Sequence, residues 1–86
     1  MNEENIHETK TYQHRVKIRL DTMTDATQFV SITTKIPGDV IVYDNNGMRV
    51  NAKSILGMLY ALEFEELWCE SDEDIRSHIE RFAVNE

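Results

Sequence analysis

The chain has 86 residues and a mass of 10.1 kDa, which allows one small domain and leaves no room for a second core or a deep enclosed cleft. Its apolar share of 41% and charged share of 29% suit a globular domain and are too apolar for intrinsic disorder. The net charge of −7 is localised: seven acids balance seven bases from Met1 to Leu62, whereas Glu63 to Glu86 holds nine acids against Arg76 and Arg81. This balance argues against direct nucleic-acid binding, which needs a basic face, and favours basic partners or simple solubility.

Residues 1–12 are polar and without period, and read as a flexible lead to a single domain over 13–86. Arg15 to Leu20 alternates strictly, with Val16, Ile18 and Leu20 on one side, and predicts a half-buried strand. Asp21 to Asp25 is dense in helix-start residues, and either Thr22 with Asp25 or Asp25 with Gln28 has capping-box spacing. Ala26, Phe29, Val30 and Thr33 then share a helical face, and Pro37-Gly38 ends the helix. Val40 to Tyr43 is a β-branched, aromatic strand. Asp44-Asn45-Asn46-Gly47 signals a tight hairpin returning through Met48 to Val50, because Asn and Gly tolerate positive φ.

Ala52 to Leu62 predicts a short apolar helix, and Phe64 to Cys69 a fourth strand interrupted by Glu65 and Glu66. Ser71-Asp72-Glu73-Asp74 reads as the start of a last helix with a buried stripe of Ile75, Ile79 and Phe82. The order βαββαβα implies an α+β fold with three helices on one face of a mixed or antiparallel sheet.

Little in the sequence suggests catalysis. His7, His14 and His78 have no partner at metal-ligand spacing, so no metal or other cofactor is expected. Cys69 lacks the basic surroundings that activate a thiol, and reads as a small hydrophobe at a strand end. The three glycines form no phosphate loop, and the acids of the last third read as a solvated face, so an independent enzyme is not expected. The lone cysteine, the absence of an apolar span and the opening Met1-Asn2-Glu3-Glu4 without signal-peptide character together predict a cytoplasmic protein without membrane association. Ser54 stands near the start of the second helix beside Ile55, Leu56 and Leu59. It reads either as an ordinary first-turn residue against a core stripe, or as a modification site where phosphate would meet free backbone amides.

Asn51-Ala52-Lys53-Ser54-Ile55-Leu56-Gly57 resembles the regulatory-serine segment of HPr, the histidine-containing phosphocarrier of the bacterial sugar phosphotransferase system. Thr27-Gln28-Phe29-Val30, the Asn46-Gly47 hairpin and the acidic start of the last helix fall where that family has counterparts, so the resemblance covers about residues 14–84. It implies an open-faced β-sandwich, a four-stranded antiparallel sheet with three helices on one side. The active-site motif departs from the family's Gly-Leu-His-Ala-Arg-Pro. Thr22 stands in place of the phosphorylated histidine and Thr24 in place of the arginine, and the segment before Trp68 is several residues shorter. A threonine hydroxyl lacks the low-pKa nitrogen nucleophile, and its phosphoester is too stable to pass on.

The chain is similar in this respect to the catabolite-repression HPr proteins, which keep the serine and lack the histidine. The resemblance implies Ser54 as the phosphorylated residue and Ile55, Leu56 and Leu59 as a docking patch. The implied partners are an HPr kinase/phosphorylase or a transcription regulator. The expected function is a regulatory, protein-binding paralogue; the alternatives are a phosphocarrier of the same system and a structural interaction module on the same fold.

Overall fold

A computed structural model of the protein describes residues 13–84, so the lead expected over 1–12 lies outside the described residues. The elements are β1 (His14–Ile18), α1 (Met23–Thr33), β2 (Val40–Tyr43), β3 (Arg49–Asn51), α2 (Ile55–Ala61), β4 (Leu67–Ser71) and a 3₁₀ turn at Glu80–Phe82. The four strands form one antiparallel sheet in the order β1-β4-β2-β3. Strand β4 therefore lies between β1 and β2, pairing Val16 with Cys69 on one side and Val42 with Cys69 on the other.

Side chains alternate across a strand, so this register sorts every residue to one of two faces. Val16, Ile18, Val40, Val42, Leu67 and Cys69 join Ala26 and Phe29 of α1 and Met58 and Ala61 of α2 in a single core. Phe29 is fully buried, which contributes about 1.5–3 kcal/mol relative to exposure, and meets Phe82 edge-on at 5.6 Å. Among the described residues no helix is long and apolar enough to cross a membrane.

Local chemistry explains the element ends. Thr22 caps α1: its hydroxyl accepts from the Asp25 amide at 3.0 Å and the Asp25 carboxylate accepts from the Thr22 amide at 3.2 Å, which selects Thr22–Asp25 as the capping box. The hairpin turns as expected. Asp44 accepts from the amides of Asn46 and Met48, both at 2.9 Å, while Gly47 takes a φ of +93°.

Two expectations are corrected. The fourth strand begins at Leu67, not Phe64, because the Glu65–Glu66 pair lies in a bend and the inward-facing set is Leu67, Cys69 and Ser71. Ser71 is consequently the last residue of β4, paired with both His14 and Val40, and its hydroxyl donates to the Glu73 carbonyl instead of capping a helix. The expected third α-helix is absent from the described residues, so two helices, not three, accompany the sheet.

Residues 75–83 instead form successive tight turns. The amides of His78, Ile79, Phe82 and Ala83 each donate three residues back, and only Ile79 also donates four back, to Ile75. Ile79 leaves helical geometry at φ −115°, ψ 21°, and the chain swings back to the outer edge of β1. There Arg19 donates to the Phe82 carbonyl, Val84 donates to the Lys17 carbonyl, and Ile18 bridges Ala83. A continuous helix would carry these groups away and leave that edge unpaired. Ile75, Ile79 and Phe82 are nevertheless buried as expected.

Ala52 ties the sheet to α1. Its amide donates to the Val40 carbonyl at 2.8 Å and its own carbonyl accepts from the buried Thr33 hydroxyl at 2.7 Å. Replacing Thr33 with valine preserves shape and strands that carbonyl in the core. Thr33→Val is expected to lower stability by about 1–3 kcal/mol in urea unfolding, with the far-ultraviolet circular dichroism of the folded state unchanged.

Candidate functional site

The two helix starts carry the residues singled out from the sequence, and their surroundings differ. At α1 the Asp25 carboxylate accepts from the amides of both Asp21 and Thr22, at 2.9 and 3.2 Å, so the helix start is already occupied by an anion. Thr22 and Thr24 are exposed. The Thr24 carbonyl accepts from the Thr27 hydroxyl at 2.9 Å. The shallow depression nearby sets Arg19 and Arg81 against Asp21 and Asp25, so its charges cancel. Nothing in this arrangement supplies a nitrogen nucleophile or a surplus of positive charge for a phosphoryl group.

At α2, Ser54 is the N-cap. Its half-buried hydroxyl accepts from the Gly57 amide at 3.0 Å, and the first turn holds no acid. The residues before it are anchored from several directions. The Asn51 side chain accepts from the Lys53 amide, and the Lys53 ammonium donates to the carbonyls of Ile36 and Gly38. Lys53 thus braces the loop after α1. Gly57 brings the helix against β3, where an added Cβ would stand 3.3 Å from Val50 Cβ and 3.4 Å from the Asn51 oxygen.

Of the expected docking patch, Ile55 is 40% and Leu56 76% exposed, whereas Leu59 is half-buried and packs on the core. Met58 and Ala61 fill the core from the opposite side of the helix, and Leu59 leans toward them. Tyr60, four residues after Leu56 and so on its face, takes the outward place at 51% exposure, edge-on to Phe64 at 5.5 Å. The exposed apolar surface of α2 is therefore Ile55, Leu56 and Tyr60. Helical spacing alone is the signal that could have included Tyr60.

The sheet face turned away from the core takes residues from all four strands, of which the sequence pattern marked only Arg15 and Lys17 as outward-facing. One cross-strand row runs Lys17, Trp68, Tyr43, Arg49 and the next runs Arg15, Glu70, Ile41, Asn51. The Arg15 guanidinium lies 4.2 Å from the centre of the Trp68 ring, Lys17 5.6 Å from the same ring, and Arg49 5.3 Å from that of Tyr43. Burial and the hydrogen-bonded Glu70 carboxylate raise the Tyr43 phenol above its ordinary pKa, against the lowering effect of Arg15 and Arg49. The outward parity of Tyr43 and Trp68 follows from strand alternation once the inward set is known.

Among the described residues no group of three or more His, Cys, Asp and Glu side chains could hold a metal ion. His78 is exposed, on a turn instead of a helix, and His14 begins β1. Cys69 is buried in β4, and its thiol is pushed up to about 12, first by burial and then by the Glu70 charge. A raised pKa of this kind stabilises the fold fully below the ordinary thiol value near 9 and is lost as pH rises through the folded value. Folding stability should thus fall between about pH 9 and about pH 12, with Tyr43 contributing in the same direction, and native Cys69 should resist iodoacetamide at pH 8 until denaturant is added. Comparison with known protein families, with characterised proteins and with solved structures finds no match for this chain.

Proposed function

We propose that this protein is an HPr-like regulatory module of the cytoplasm. On this reading it binds a protein partner through the exposed face of α2 and is switched by phosphorylation of Ser54. The observation that carries the reading is the juxtaposition at α2: a hydroxyl at the helix N-cap, no acid in the first turn, and Ile55, Leu56 and Tyr60 exposed beside it. The four-stranded antiparallel sheet, which the HPr resemblance implies, supports it further.

The switch works through charge. Phosphorylation transfers a phosphoryl group from ATP to Ser54 Oγ, with loss of its proton and release of ADP. The product carries about −1.5 to −2 charge and strong acceptor oxygens next to first-turn amides that have no intrahelical partner. The same charge borders the apolar patch, so it changes which surface that patch fits: a partner with a basic rim gains and one with an acidic rim loses. The partner classes implied are a kinase of the HPr kinase/phosphorylase type and a transcription regulator. At α1 the opposite electrostatics apply, since the Asp25 carboxylate already sits at the helix start and would repel an incoming phosphoryl group. This favours the regulatory reading over a phosphocarrier.

Incubation of the full chain with HPr kinase/phosphorylase and ATP, followed by intact-mass and fragment analysis, tests the reading. A single added phosphate on Ser54, absent from Ser54→Ala and reduced about tenfold or more in rate by Leu56→Asp, is the expected result. Because Leu56 is solvent-exposed, Leu56→Asp should leave the unfolding midpoint nearly unchanged. Ser54 left unmodified would end the regulatory reading.

A further inference from the structure

The outer face of the sheet carries a different kind of surface from α2 and lies on the side of the strands turned away from the core. Three bases, Arg15, Lys17 and Arg49, stand there with two acids, Glu66 and Glu70, in a chain whose net charge is −7. The acids are engaged: Glu66 with Lys17 at 3.7 Å and with the Asn45 amide group, Glu70 with Arg49 at 3.5 Å and with the Tyr43 hydroxyl. Arg15 has no carboxylate partner among the described residues. It is exposed, and its guanidinium carbon lies 4.2 Å from the centre of the Trp68 ring. The face therefore has a local positive surplus at Arg15.

A second observation concerns the ring beneath. Among the described residues the Trp68 Nε1–H meets no hydrogen-bond acceptor, and it is shut off from solvent. A buried donor of this kind costs free energy that an arriving acceptor would recover. The two features call for the same chemistry, a negatively charged oxygen.

We propose that this face is a docking surface for an extended, acidic segment of a partner polypeptide, laid across the strands on the Trp68–Tyr43 pair and held at its carboxylates by Arg15 and Arg49. The charge of the face selects the occupant. Four strands about 4.8 Å apart spread the row from Lys17 to Arg49 over about 14 Å, a span that a few extended residues match. A carboxylate at Arg15 completes a charge-assisted pair without stripping the guanidinium from Trp68. Single-stranded nucleic acid fits less well. Its bases would have to displace Arg15 and Arg49 from the two rings in order to stack, which an extended peptide does not need to do.

The chain's single tryptophan makes the test specific, because its emission reports on this face alone. The probe is a synthetic alternating Glu-Val peptide of about eight residues, titrated into the full chain at low salt, with the matching Lys-Val peptide and an oligothymidylate in parallel. Expected is a saturable change in Trp68 emission with the Glu-Val peptide only. Added salt should weaken it, and Arg15→Gln and Arg49→Gln should each weaken it about tenfold. Both arginines are exposed, so unchanged far-ultraviolet circular dichroism should show that the variants fold. No response to the Glu-Val peptide, a response indifferent to both substitutions, or stronger binding of the oligothymidylate would overturn the proposal.

Discussion

The last strand in the sequence is the one on which the sheet depends. β4 lies between β1 and β2, so neither half of the sheet is joined to the other until residues 67–71 are in place. Its register also decides parity. With Leu67, Cys69 and Ser71 inward, Trp68 and Glu70 must face out, and a slip of one residue would put an indole and a carboxylate into the core. The same placement leaves Ser71 at the end of a strand, where it cannot begin a helix. That in turn frees residues 75–84 to make tight turns and close the outer edge of β1.

From this frame the protein presents two surfaces of different character. On the helical side, Ser54 is held in place by contacts that converge on the residues just before it: Ala52 bonded to Val40 and Thr33, and Lys53 bonded to the loop after α1. On the sheet side, cations stack on aromatic rings. The two helix starts make an instructive pair. Both are capped by a hydroxyl, yet the Asp25 carboxylate lies in the first turn of α1 and accepts from the two amides just before it, while the first turn of α2 holds no acid. A single carboxylate distinguishes the two helix starts.

Much of the frame was legible in the sequence because local chemistry determines it. The alternation from Arg15 to Leu20, the β-branched run at Val40 and the Asn46-Gly47 turn each carry their own physical reason, although β1 ends at Ile18, short of Leu20, and of the two capping boxes the sequence offers the structure uses Thr22–Asp25. The misses are tertiary. The Ile75, Ile79 and Phe82 spacing suits an α-helix, but burial in that pattern is equally met by tight turns, and only the β1 edge decides between them. Leu59 and Tyr60 are adjacent on a short helix, and which of them faces out depends on how α2 rests on the core. Ser54 was singled out from sequence alone. The Lys17–Trp68–Tyr43–Arg49 row was not, because it assembles one residue from each of four strands and exists only once the strand order is known.

On the proposed reading this chain works by recognition and carries no phosphoryl group on histidine. Incubation with phosphoenolpyruvate and Enzyme I, with the product's mass taken before and after mild acid, tests it most directly, since phosphate on imidazole nitrogen is acid-labile and phosphate on a hydroxyl is not. No acid-labile phosphate should appear on the chain. A phosphoryl group lost in acid and mapped to a histidine would contradict it.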